Sequence, residues 1–219
     1  MDKLSLSYSA IADSTADDRG IDKMPKLLTK TLSFAEYLLL PYDGKKTELV
    51  DGQIIEMTEP SSLHINIIRT VTRLLDRHIL AEDYELECVS GPGVEIPRSG
   101  RRSDARDPDI IVCQREQWRA MSALTKSIFL EGNQPDLVIE VSSPGNEASD
   151  TVDKRIEYAL AKIPEYWIIN PMRSYVLVLQ LDAAVGTYKE VGEYRNSDRI
   201  ESGLLPKLQV TANELLNPF

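Results

Sequence analysis

Two carboxylates stand out because each lies in a run otherwise built for burial. Pro108-Asp109 leads into Ile110-Ile-Val-Cys113, and Leu137-Val-Ile runs directly into Glu140, followed by Val141 and Ser142. Alternation along an extended chain puts Glu140 on the face of Val138 and Ser142, with Leu137, Ile139 and Val141 on the other. An ionised carboxylate in so apolar a run is costly unless a charged or strongly hydrogen-bonding group meets it. A hard divalent cation is one such partner, since Mg2+ takes oxygen ligands, usually one or two carboxylates, and completes its shell with water. The plainer alternative gives Glu140 an arginine or backbone amides as partners and Asp109 a turn to cap.

Downstream, Asp150-x-x-x-Lys154-x-x-x-Tyr158 places three polar residues along one helical ridge. Read simply, Asp150 favours the positive end of the helix and pairs with Lys154. Read functionally, Lys154 reaches over the strand ends toward a water or a phosphate. Val152, Ile156, Ala159 and Ile163 form an apolar stripe nearly opposite Lys154. Lys154 must therefore reach sideways, or the helix must be covered on both faces; Tyr158 favours the second arrangement. Arg98, Arg101, Arg102 and Arg106 lie just upstream of Asp109. They form either a solvated loop or an edge that contacts phosphate.

The elements that must position these groups follow from periodicity and punctuation. Ser33-Phe-Ala-Glu36 is a capping-box pattern that opens a short helix ended by Pro41. Thr47–Val50 and Gln53–Met57 flank Asp51-Gly52, a hairpin signal. Ile65, Ile68, Val71, Leu75 and Ile79 recur at helical spacing after Pro60-Ser61-Ser62. Tyr84–Val89, Val94–Ile96, Asp109–Cys113 and Asp136–Ser142 read as strands, and 114–134 shows no regular pattern. A helix over 150–161, strands at 165–169, 175–181 and 187–191, and a short helix at 211–216 complete the chain. This order predicts an α/β (α+β) fold, a mixed central sheet flanked by helices with additional N- and C-terminal hairpins. Residues 1–30, with five acidic and five basic residues and no apolar period, read as a flexible arm before a single domain over 31–219.

Composition limits the function classes. The 219 residues carry 25 basic and 35 acidic side chains, a formal charge of −10, which argues against a protein that coats nucleic acid by bulk electrostatics. It does not argue against a nuclease whose metal ions offset the repulsion locally. No run approaches the roughly 18 apolar residues of a membrane span, and the polar first 25 residues do not read as a secretory leader. Cys88 and Cys113 are too few for a disulfide framework or a four-cysteine zinc site, so a cytoplasmic setting is expected.

Taken in order, Glu48-Leu-Val-Asp51-Gly52-Gln-Ile-Ile-Glu56-Met, His64, Pro108-Asp109, Pro135-Asp136-Leu-Val-Ile-Glu140-Val-Ser-Ser-Pro, Asp150-x-x-x-Lys154-x-x-x-Tyr158 and Glu165-Tyr-Trp-Ile-Ile-Asn-Pro171 cover about residues 31–216. This ordered set resembles the Uma-two family of the PD-(D/E)XK, or restriction-endonuclease-like, superfamily. The resemblance implies Mg2+- (or Mn2+-) dependent hydrolysis of DNA phosphodiester bonds. It matches Asp109 to the superfamily aspartate and Glu140 to the glutamate of the E-x-K element. Ser142 stands in that element's lysine slot, and the resemblance assigns the lysine role to Lys154 on the following helix. His64 matches a family histidine, either satisfied locally or reaching the carboxylates as base or ligand. Asn170 stands where an aspartate is common.

Of the two remaining hairpin carboxylates, Glu48 or Glu56 could add to a metal site, although Glu56 fits exposed hairpin pairing better. Arg101, Arg102 and Arg106 are the candidate phosphate contacts, and a homodimer is expected by analogy because a duplex has two strands to cut. Two other readings stay open: a non-catalytic nuclease fold serving as a dimeric partner-binding module, and a hydrolase of small phosphoesters. The arm reading carries its own test. Deleting residues 1–25 should leave the melting temperature nearly unchanged, because so polar a segment buries little apolar area. A large drop would show that it docks.

Overall fold

Ser33 starts the first helix by reciprocal capping: its N–H donates to the Glu36 carboxylate at 2.8 Å, and its hydroxyl accepts from the Glu36 N–H at 3.2 Å. The computed structural model describes residues 31–41, 45–100, 102–122, 126–144 and 149–218. The expected arm over 1–30 and Arg101 lie outside the described residues. The first helix, α1 (Phe34–Leu38), is followed by the hairpin β1 (Thr47–Val50) and β2 (Gln53–Glu56). Asp51 and Gly52 both take positive φ, 50° and 76°, as a two-residue hairpin turn requires. A side chain at Gly52 would also meet the Leu32 carbonyl at 3.0 Å.

The chain continues through α2 (Ser62–Ala81), β3 (Leu86–Val89), β4 (Gly93–Pro97), β5 (Ser103–Arg106), β6 (Ile110–Gln114), α3 (Arg115–Met121), β7 (Ile128–Phe129) and β8 (Leu137–Val141). One wide π-helical turn (Ser149–Asp153) then feeds α4 (Lys154–Leu160), before β9 (Glu165–Asn170), β10 (Tyr175–Asp182), β11 (Thr187–Tyr194) and α5 (Ala212–Leu216). The larger sheet runs β11-β10-β9-β8-β6-β3, antiparallel except for the parallel β8–β9 pair. A second sheet runs β2-β1-β5-β4-β7. Among the described residues, no helix is long and apolar enough to cross a membrane.

The large sheet is apolar on both faces. Leu137, Ile139 and Val141 join Ile67, Val71 and Leu75 of α2 in one core. Val138, Ile111, Cys113 and Ile168 join Tyr158 and Ala159 of α4, with Val94, Ile96 and Phe129, in the other. The alternation expected along β8 holds, and Glu140 falls on the α4 side.

The structure departs from the sequence reading in three places. The arginine loop contains β5, whose Ser103–Arg106 run pairs with β4 and β1, so the expected N-terminal hairpin is part of a five-stranded sheet. The stretch read as irregular between 114 and 134 holds α3 and β7. The third departure bears on function. Of the expected stripe, Ala159 and Ile163 are buried but Val152 and Ile156 are 56% and 58% exposed, whereas Lys154, Glu157 and Tyr158 are buried. The polar ridge faces inward because Glu140, Glu48 and Arg106 wait there to pair with it, and hydropathy periodicity cannot register partners that come from other elements.

This inversion predicts opposite responses to substitution. Ile156→Lys should shift the urea-derived stability by less than about 0.5 kcal/mol, as for ordinary surface changes. Tyr158→Phe removes a buried donor to a carboxylate and should cost about 1–3 kcal/mol. An unfolded Ile156→Lys protein would return Ile156 to the core.

Candidate active site

Because β6 and β8 pair with Ile110 opposite Ile139, the residue preceding β6 lies opposite the Glu140 position on the adjacent strand. Asp109 is thus brought beside Glu140 by register, and its Oδ2 accepts the Val141 N–H at 2.8 Å. Beyond β8 the Ser142 N–H still bonds the Ile169 carbonyl at 2.8 Å. The described chain resumes at the π turn, and α4 lies over the Glu140 face. Lys154 Nζ lies 2.9 Å from Glu140 Oε1 and 3.2 Å from Asp150 Oδ1. The Tyr158 hydroxyl donates to the same Glu140 oxygen at 2.5 Å, and Tyr166 holds the wide turn by donating to the Asp150 carbonyl at 2.8 Å.

On the other side of Asp109 stands the first turn of α2. The Ser61 hydroxyl caps that helix by accepting the His64 N–H at 3.2 Å. The His64 ring bridges two groups, with Nε2 3.1 Å from Asp109 Oδ1 and Nδ1 3.1 Å from the Ser143 hydroxyl. An ionised Asp109 accepts, so Nε2 carries the proton and, in the neutral ring, Nδ1 accepts from Ser143. Lys46 adds positive charge, 3.3 Å from Asp107 Oδ1 and 3.9 Å from Asp109 Oδ1.

These environments divide the carboxylates. Burial alone would raise Asp109, but the His64 hydrogen bond and charge, Lys46 and the Val141 amide outweigh it and hold the group below its ordinary value. Burial pushes Glu140 up to about 8; Lys154 pulls it down, Asp109 and Asp150 add to the rise, and the Tyr158 hydrogen bond opposes it. Burial also opposes the charge on Lys154, yet Glu140, Glu48 and Asp150 keep it protonated and raise its pKa. Burial likewise lifts Asp107, to about 6, against the pull of Lys46.

The donor set suits a hard cation in one specific way. Among the described residues, no group of three or more His, Cys, Asp or Glu side chains is placed to hold a metal ion. Glu140 and Asp150 nonetheless both meet Lys154, and Asp109 lies beside Glu140 on the neighbouring strand. The Ser142 hydroxyl, buried beside Asp150, makes no hydrogen bond of good geometry among the described residues. Two carboxylates are as many as Mg2+ usually takes from a protein, water filling its remaining positions.

Asp109, Glu140, Lys154 and His64 are therefore brought together. Ser142 sits in the lysine slot without an ammonium, and Lys154 brings one to Glu140 from α4. The arginines lie elsewhere. Arg102 is exposed beside an open cleft lined by Asp51, Arg98, Asp104 and Leu160. Arg106 is buried and bound to Glu48 and Glu157, so it presents no free edge to a phosphate. Glu56 pairs with Lys45 on the hairpin, as expected for an exposed role, while Glu48 is buried. Asn170 closes the β9–β10 turn, its side-chain oxygen accepting the Arg173 N–H at 2.9 Å. Ser143, Lys46 and Glu157 were not legible as partners of the site.

Comparison with known proteins bears on the fold and the family. A solved structure described as a "putative nuclease belonging to DUF820", from Anabaena variabilis ATCC 29413, superposes with a TM-score of 0.67 over 85% of this chain and 98% of that one. At 16% identity the likeness is one of fold. No curated protein matches the sequence. The model of the family described as "Uma2: Putative restriction endonuclease" matches residues 34–213, most of the chain. The chain belongs to that family.

Proposed function

We propose that this protein is a metal-dependent endonuclease that hydrolyses phosphodiester bonds of DNA, with Asp109 and Glu140 as the carboxylates that hold Mg2+ or Mn2+. The observation that carries this reading is the convergence of Asp109, Glu140 and Lys154 from two adjacent strands and a helix. When bound, the ion would polarise the scissile phosphate and lower the pKa of the attacking water. Lys154, held protonated, offers a donor at the carboxylate end where negative charge develops on the attacking or leaving oxygen. Tyr158 fixes the orientation of Glu140, and the Val141 amide with His64 fixes that of Asp109. His64 and Ser143 form a short path along which a proton can leave the Asp109 side. A duplex presents two strands, so two copies acting as a homodimer complete the proposal.

A module retained only for binding partners would neutralise its carboxylates with arginines. Among the described residues no arginine meets Asp109 or Glu140, which supports the catalytic reading.

Two measurements test the site. Glu140→Gln keeps the shape and removes one negative charge, so Mg2+ affinity by calorimetry and Mg2+-dependent cleavage of duplex DNA should each fall at least tenfold. The melting temperature without metal should stay equal or rise, because burial and the nearby Asp109 and Asp150 disfavour ionised Glu140 more than Lys154 and Tyr158 favour it. Unchanged Mg2+ affinity would remove Glu140 from the site.

The pH dependence follows from the same group. The folded-state pKa of Glu140 lies above its unfolded value near 4.5, so its stabilising contribution is complete below that value and is lost as pH rises toward about 8. Metal-free wild-type protein should therefore lose melting temperature across that window, and Glu140→Gln should give a flatter profile. Parallel profiles would show that Glu140 does not titrate there.

A further inference from the structure

Behind the candidate site lies a buried chain of charges that the proposed chemistry does not use. Arg106 on β5 donates from Nε and Nη2 to the two oxygens of Glu157 at 2.6 and 2.8 Å, and from Nη1 to Glu48 at 2.6 Å. The other oxygen of Glu48 accepts the Asp107 N–H at 3.3 Å. Arg98 donates to Glu157 at 2.5 Å and to Asp104 at 2.8 Å, and Asp104 in turn accepts the Asp51 N–H at 3.0 Å. Glu48, Arg106 and Glu157 are all buried.

The placement of these residues in the fold matters more than their number. Glu157 lies on α4 one turn after Lys154 and directly before Tyr158, the two residues that hold Glu140. Arg106 ends β5 three residues before Asp109. Glu48, on β1, holds the amide of the turn that delivers Asp109. One guanidinium therefore ties the helix bearing the ammonium to the segment bearing the first carboxylate.

Stability alone gives little reason for such a network. A buried ion triad is commonly matched or exceeded in stability by apolar side chains of similar volume, since desolvation offsets much of the attraction. What a forked guanidinium adds is fixed geometry: two parallel bonds to one carboxylate and a third to another leave little freedom in their separation. The active centre needs that property, because small misplacements of reacting groups are costly.

We propose that Glu48, Arg106 and Glu157 are positioning residues, which set the distance between the Asp109 turn and the Lys154 helix so that Lys154 stays on Glu140. The proposal rests on reading Asp109, Glu140 and Lys154 as the active centre, yet its main readout is independent of cleavage. Lys154, enclosed by Glu140 and Asp150, should resist an amine-acylating reagent in wild-type protein, and modification at that residue can be followed by mass spectrometry. Cys88 and Cys113, both buried in the core, report global integrity through their reactivity toward a thiol reagent.

In Glu157→Gln the thiols should stay as protected as in wild type. Acylation of Lys154 should rise at least tenfold, and kcat for duplex cleavage should fall at least tenfold with little change in KM. Lys154 as protected as in wild type, in a variant with protected thiols, would overturn the proposal. If Glu157→Gln exposes the thiols, the triple variant Glu48→Gln, Arg106→Met, Glu157→Gln removes the three charges together and takes its place. Rapid acylation of Lys154 over a closed core again supports positioning. Continued protection of Lys154 would overturn the proposal, and loss of the core in this variant too would overturn it by making the network a determinant of folding. Absence of cleavage by wild-type protein would count against the nuclease reading alone, since Lys154 protection would still be measurable.

Discussion

A carboxylate in the middle of an apolar strand constrains everything around it. Left alone, Glu140 would cost several kcal/mol of desolvation, as much as much of a domain's net stability. The fold meets it with a Lys154 ammonium and a Tyr158 hydroxyl on the same oxygen. Both come from α4, so α4 must present its polar ridge to the sheet and leave Val152 and Ile156 to solvent. Glu157 then enters the interior on the same ridge and needs Arg106 and Arg98. Arg106 in turn needs Glu48. One buried charge thus orients a helix and places cations and anions together between the two sheets.

The same constraint bears on how an acidic protein could carry out the proposed phosphate chemistry. The formal charge of −10 describes the whole chain, but Lys154, Lys46 and His64 are gathered around Asp109 and Glu140. Field at a partly buried site depends on the nearest charges and on the exclusion of water more than on net charge. Arg98 and Arg106 are committed to Asp104, Glu157 and Glu48, so positive charge beside Asp109 and Glu140 comes from Lys46 and Lys154 on other parts of the chain.

Much of this was legible in the sequence, for identifiable reasons. Strand alternation put Glu140 on the face of Val138, and α4 covers that face. Proline before Asp109 marked the entry to β6, and the antiparallel register aligned it with Glu140. The Asp51-Gly52 turn and the Ser33 capping box are local chemistry, and both are observed. What stayed hidden depends on partners distant in sequence. The inward face of α4 is set by Glu140 and Arg106, so a periodicity that weighs each residue alone assigns it outward. The short strand β5 is polar, Ser-Asp-Ala-Arg, and becomes a strand because β1 and β4 supply hydrogen bonds and Glu48 and Glu157 pair its arginine. Ser143 meets His64 across 79 positions of chain, and no local pattern encodes that contact.

The claim at the centre is that Asp109 and Glu140 act on one cation beside Lys154. The most direct test is a crystal of the protein soaked in Mn2+, with anomalous scattering recorded at the manganese edge. One peak in contact with oxygens of both Asp109 and Glu140, with Lys154 alongside, is the expected result. An absence of any peak there, with Glu140 still held only by Lys154 and Tyr158 at saturating Mn2+, would contradict it.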